Sequence, residues 1–160
     1  MIDGTVIRAH RHAAGALGGQ DKQGLGRSCG GFSSKIHAKV DAFGMPLHIV
    51  VTAGQAADIK QAESLVRNDA CENLLADRGY DSDEFREMLY EKNIRSVIPG
   101  RTNRLRPIAY DEHTYKERNA IERFFGRLKE YRRIATRYDK TALMFKAGII
   151  IACIFMWLKL

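Results

Sequence analysis

The chain has 160 residues, 45% of them apolar and 28% charged, the balance of an ordinary soluble domain with room for one real core and little for a second. A formal charge of +7 predicts attraction to a polyanion, either nucleic acid or an anionic membrane surface, without naming a function. Three scattered cysteines, Cys29, Cys71 and Cys153, argue against a disulfide framework or a zinc knuckle and for a reducing cytoplasm.

In chain order, residues 3–9 read as an extended first strand. Residues 10–31 follow with seven glycines and few apolar anchors, so a long, flexible, Gly-rich loop is expected. From Ser34 to Asp41 apolar and polar residues alternate, the period of a half-buried strand with His37 on its polar side. A turn at Phe43–Pro46 leads to a second β-branched strand, 47–52, completing a hairpin. Residues 58–66 read as a helix with Asp58 as its cap. Leu74-Leu75-Ala76-Asp77 is an apolar run ending in an acid, as a central strand ends at a functional edge. A helix over 82–91, a strand over 94–98 and a basic connector from Pro99 to Pro107 come next. Two helices, 112–136 and 141–158, close the chain. The second contains the longest apolar run, Ala147 to Leu158, too short for a bilayer span of roughly 17–25 residues, so a buried packing helix is expected. No basic segment followed by an apolar core marks a signal peptide. This order fits a single α/β domain over 1–160, a ribonuclease H-like mixed sheet flanked by helices, and it fits other α/β folds as well.

The helix over 112–136 is the most informative segment. At about 100° per residue, Tyr115, Arg118, Glu122 and Lys129 fall within roughly 60° of one another, beside an apolar stripe of Ile121, Phe124, Phe125, Leu128 and Ala135. One face packs, and its flank carries a carboxylate framed by two cations and a phenol. On geometry alone this reads equally well as a solvated flank with helical salt bridges.

The spacing Tyr-x2-Arg-x3-Glu-x6-Lys resembles the signature on the glutamate helix of DDE-type bacterial insertion-sequence transposases. Asp3-Gly-Thr resembles the family's first aspartate motif, and Asp77-Arg-Gly-Tyr80 its second. Three motifs in order cover nearly the whole chain. The resemblance implies a DNA transposase that cuts transposon ends and transfers a strand into target DNA. Asp3, Asp77 and Glu122 would be both catalytic residues and metal ligands for two Mg2+ ions, with Mn2+ able to substitute. Hard divalent ions take oxygen ligands, and an ion pair can activate the attacking oxygen and stabilise the leaving one. Asp3 would bridge both ions, Asp77 would hold one and Glu122 the other. Arg118 and Lys129 would contact phosphates and Tyr115 would position the strand. The implied partners are DNA, a second copy in a synaptic dimer, and an upstream N-terminal DNA-recognition region. No membrane is involved, and a cytoplasmic, nucleoid-associated setting follows. Relative to that family the first strand is cut short at the N-terminus. A frameshift product and a decayed element are the two explanations. A ribonuclease H-like nuclease or resolvase and a non-catalytic DNA-binding remnant are the alternative functions.

Other signals carry less. His10, His12, His37 and His48 lack zinc spacing. Gly24-Leu-Gly26 is not a complete nucleotide-binding motif. Asp81, Asp83 and Glu84 read as cap and first-turn acids of the helix that follows them. Arg101, Arg104 and Arg106 read either as a DNA contact or as a solubilising surface turn.

Overall fold

A computed structural model of the chain describes residues 1–67 and 70–159. Seven strands and seven α-helices are defined within them. Strand β1 (Ile2–Ala9) lies antiparallel to β3 (Gly31–Val40), in register from Ile2↔Lys39 to Arg8↔Ser33. It runs for eight residues and includes the stretch 3–9 read from the sequence as extended. Its ladder closes at Met1, whose nitrogen donates to the Val40 carbonyl at 2.8 Å. The other edge of β3 pairs with β2 (Gly26–Ser28) and with β4 (Pro46–Ala53), both antiparallel. The β3–β4 turn is held by Asp41, whose Oδ1 accepts from the Phe43 and Met45 N–H groups. Gly44 sits there at φ +80°, with the Ala120 carbonyl pressed where a Cβ would stand, so both backbone sign and space require glycine.

Strand β5 (Asn73–Leu75) runs parallel to β6 (Arg95–Val97) in a separate two-stranded sheet. Helix α3 (Asp83–Glu91) connects them, the predicted βαβ unit. The last strand, β7 (Thr136–Arg137), joins β1 in parallel at Arg8 and Ala9. A curled mixed sheet flanked by helices is the ribonuclease H-like arrangement expected.

Both faces of the sheet are covered. On one, Ile7, Ile36, Ala38 and Ile49 pack under α5 (Asn119–Glu130) and α7 (Ala142–Leu158). On the other, Ile2 and Val50 pack with α2 (Ile59–Val66), α3 and the β5–β6 pair. The period of two in β3 therefore marks two interiors and not one interior and solvent. His37, assigned to the polar side, is fully buried.

Three other readings change. The segment 10–31 is more than a loop. It holds a 3-10 turn at Arg11–Ala13, the four-residue helix α1 (Gly19–Lys22) and β2, anchored by buried Ala13 and Leu25. The single helix over 112–136 is four pieces: α4 (Glu112–Tyr115), a 3-10 turn Lys116–Arg118, α5, and α6 (Arg132–Ala135). Tyr131, at φ −74° and ψ 101°, breaks the ladder. The break shifts the helical phase, so Ile134 enters the core in place of Ala135. Finally, α7 buries one face only, through Phe145, Ile149, Ala152, Cys153 and Met156. Its opposite face leaves Leu143, Met144, Ile151 and Phe155 between 49% and 77% exposed. No helix among the described residues is long and apolar enough to cross a membrane.

Candidate active site

Asp3 stands opposite Ala38, on the face of β1 that α5 covers. Its Oδ1 accepts from the Gly4 N–H at 2.8 Å and its Oδ2 from Arg118 at 2.9 Å. The second Nη of Arg118 donates to Glu122 Oε1 at 2.5 Å, one helical turn along. One guanidinium thus spans the first and third predicted acids. Burial pushes the Asp3 carboxyl up to about 6, a rise opposed by Arg118 and the Gly4 N–H and reinforced by the charges of Asp77 and Asp58. Glu122 keeps its side chain 59% exposed, so the arrangement opens to solvent on the helix side.

Asp77 lies two residues beyond β5. Its Oδ1 accepts from the Gly79 N–H at 2.8 Å, capping a 3-10 turn at Arg78–Tyr80. That turn drives Tyr80 into the core, where it is completely buried and its hydroxyl has no hydrogen-bond partner among the described residues. Burial raises the phenol's pKa, and the charges of Asp58, Asp3 and Asp77 raise it further. The second predicted acid therefore belongs to the same electrostatic neighbourhood as the first.

Behind Gly4, on the opposite face of the sheet, lies a cluster that the sequence did not reveal. Asp58 takes an ion pair from Lys35 at 2.6 Å, and its other oxygen faces His37 Nδ1 at 3.2 Å. His37 Nε2 lies 2.8 Å from the Thr52 hydroxyl. Burial disfavours the Asp58 carboxylate, yet these partners prevail and hold its pKa below the ordinary value. Asp58 makes no side-chain cap bond to α2, so its expected role is replaced by this ion pair. A Cβ on Gly4 would overlap Asp58 Oδ1. Glycine at the second position of Asp3-Gly-Thr is what lets the acid behind it come this close.

The turn bearing Asp77 is fixed from its far side. Asp81 is buried and accepts from Arg104 at 2.6 Å, Arg86 at 2.9 Å and the Arg101 N–H at 2.8 Å. Burial alone would raise its pKa, but these donors hold it at about 2. Arg101 also reaches the carbonyls of Arg78 and Gly79. Asp81 is therefore not a helix cap, which is Ser82. Arg101 and Arg104 fasten the connector to the Asp77 turn, a use not among those read from the sequence.

The structure thus brings Asp3, Arg118 and Glu122 together, with Tyr115 beside them. The Arg118 guanidinium lies 5.9 Å from the Tyr115 ring centroid, and Tyr110 meets that ring edge-on. Lys129 is exposed, seven residues further along α5. That spacing is about 10 Å of helix axis from Glu122. As to an ion site, no group of three or more His, Cys, Asp or Glu side chains among the described residues is arranged to hold a metal. The donor chemistry nevertheless fits a hard cation. Two of the acids already share one cationic group, and Asp77 is near enough to raise the Asp3 pKa.

The transposase DDE domain family matches residues 1–157. The chain belongs to that family. It is 38% identical over 130 residues to a protein of Brucella ovis (strain ATCC 25840 / 63/290 / NCTC 10512) that carries the name transposase for insertion sequence element IS6501. That match covers 79% of this chain and 99% of the relative. A second relative, named as transposase for insertion sequence element IS402 of Burkholderia cepacia, is 28% identical over 132 residues. There the match covers 75% of this chain and 60% of the relative. No solved structure matches the chain.

Proposed function

We propose that this DDE-domain chain is a DNA transposase. It would cleave DNA at transposon ends in a metal-dependent reaction and transfer the freed strand into target DNA. The observation that carries this reading is the Asp3–Arg118–Glu122 bridge. One guanidinium joins two of the three proposed acids, and the charge of Asp77 reaches Asp3, which supports the reading.

Asp3, Asp77 and Glu122 would hold two Mg2+ ions, with Mn2+ as a substitute. Bound there, the ions would activate the attacking oxygen and stabilise the leaving one. The side chains have separate tasks. Asp3, buried and raised to about 6, gains from any cation that favours its ionised form. Glu122, the most exposed of the bridge, is the acid free to move toward the DNA. Arg118 exchanges its carboxylates for a phosphate oxygen, a change of anion that suits its planar fork. Tyr115, stacked beside Arg118, limits where that phosphate lies. Lys129 is placed for a phosphate further along the strand, a contact that fixes register and does not read sequence. A second copy would serve synapsis of two transposon ends, and the reaction would proceed in the cytoplasm at the nucleoid.

The test is cleavage and strand transfer on cognate end DNA in Mg2+ or Mn2+, for the chain and for a version extended upstream. Glu122→Gln should abolish both steps while leaving DNA affinity within about twofold. Wild-type cleavage by Glu122→Gln, or DNA binding with no cleavage by either unmodified form, would refute the catalytic reading. The second result would favour a non-catalytic DNA-binding protein.

A further inference from the structure

The far end of β1 carries a second surface that the DDE chemistry does not use. There Arg8 pairs with Thr136 and Ala9 with Arg137, and the His10 N–H donates to the Arg137 carbonyl at 2.8 Å. Three rings gather just past this ladder. His10 stacks on Tyr138 with centroids 4.9 Å apart and planes at 29°, and His12 meets His10 edge-on at 4.5 Å. Tyr138 is 48% exposed although one of its faces is taken by His10. Arg8, Arg11, Arg132 and Arg133 are exposed on the segments that meet here. Arg132, Arg133, Thr136 and Tyr138 line an open hollow of about 490 Å³.

An exposed tyrosine on a loose loop would mean little. This loop is fastened from below by Arg137, the largest fully buried side chain among the described residues. Its guanidinium donates to Ser34 Oγ at 2.6 Å and to the carbonyls of Asp139 at 2.9 Å and Lys140 at 3.3 Å. It also lies 5.1 Å from the Phe145 ring centroid. Burying a guanidinium on neutral acceptors is costly. In return, the two carbonyls that follow Tyr138 are fixed, so the ring is held outward before anything binds. A large flat side chain that is already ordered loses little entropy on contact.

Rings presented this way, bordered by arginines, match what a nucleic-acid strand offers: flat bases to stack and phosphates to neutralise. The nearby carboxylate, Asp139, is met by Arg133 at 2.8 Å and so does not confront a phosphate unneutralised. A duplex buries its base faces and cannot use Tyr138; an unpaired strand can. We propose that Tyr138 and His10, with Arg8, Arg11 and Arg132, form a platform that binds one unpaired DNA strand, a base stacking on Tyr138 and phosphates lying on the arginines. Arg8 is five residues from Asp3 on the same strand, about 17 Å along it and on the opposite face of the sheet. The link from platform to acids rests on the proposed transposase chemistry; binding at the platform does not.

The test is fluorescence anisotropy with labelled oligo-dT and with a duplex of equal length, using the whole chain without added metal. Tyr138→Ala should raise the Kd for oligo-dT about 5- to 150-fold, the usual range for losing one stacked base. Duplex binding should change less than twofold, and Tyr138→Phe should bind as wild type. Arg11→Ala combined with Arg132→Ala should flatten the salt dependence by about 0.7 per lost phosphate contact. Unchanged oligo-dT binding in Tyr138→Ala overturns the proposal, as does an equal loss for oligo-dT and duplex. Binding is read without metal and without cleavage, so failure of the cleavage chemistry and failure of the platform are separate results.

Discussion

Replacing Asp3 with asparagine removes a charge that the fold holds at a disadvantage. Burial lifts the carboxyl from 3.8 to about 6, and its side chain is only 14% exposed, so little screening discounts the shift. At 1.36 kcal/mol per unit, the difference corresponds to roughly 3 kcal/mol. Below pH 3.8 the group is protonated in both states and contributes nothing unfavourable. As pH rises, the unfolded chain ionises first and the folded chain only near 6. The folded state therefore binds the extra proton across that window, and stability falls. Asparagine has no such window. Urea unfolding of wild type and Asp3→Asn, followed by circular dichroism from pH 4 to 8, isolates the term because titrations not coupled to Asp3 cancel in the difference. The variant should gain on the wild type as pH rises, by on the order of 3 kcal/mol in full, with the change centred between 4 and 6. Under the proposed chemistry it should also be inactive, a stability gain at the expense of catalysis. A difference that stays flat with pH, or moves in the opposite direction, would show that Asp3 is not buried against its charge.

Two further outcomes test how the site is supported. Asp81→Asn should cost about 3–5 kcal/mol at neutral pH, because it leaves Arg86 and Arg104 facing an uncharged amide in a buried position. Since Asp81 is held at about 2, this deficit is present above pH 3.8 and shrinks as pH falls toward 2. Trypsin should then cut faster after Arg101 and Arg104, and an unchanged cleavage rate would mean that Asp81 does not fasten the connector. Ile134→Ala should cost about 2–5 kcal/mol in chemical unfolding, whereas Ala135→Ser should cost well under 1. The reverse order would place the helix break elsewhere than Tyr131.

What the sequence made legible was whatever depends on local period and chain order. The hairpin of β3 and β4, the βαβ unit, the acid after β5 and the Arg118–Glu122 pairing at one helical turn all follow from spacing. What it hid depends on neighbours distant in the chain. Nothing near His37 announces that Asp58, twenty-one residues on, will close over it. Period alone made Lys35 and His37 look solvated, because alternation cannot tell water from a second buried layer of polar groups. The resemblance gives Arg118 a phosphate contact, but only the fold shows Asp3, 115 residues away, against it. The break at Tyr131 was missed because no proline or glycine marks it. Arg137 was missed because a single arginine in a basic stretch looks like any surface cation.

The two aspartates of the site stand on different sheets. Asp3 rides on a ladder of seven register pairs, while Asp77 follows a strand whose ladder runs to β6. No backbone ladder among the described residues joins β1 to β5. Across that seam, Ile2, Leu74, Ala76 and Tyr80 meet through side chains alone. Spacing between the acids is therefore set by the volume of a few apolar groups, which yields to a methylene, and not by peptide geometry, which does not. Under the proposed metal chemistry, substitutions at Ile2 or Leu74 that leave every acid in place should shift Asp77 relative to Asp3 and change which divalent ion supports cleavage.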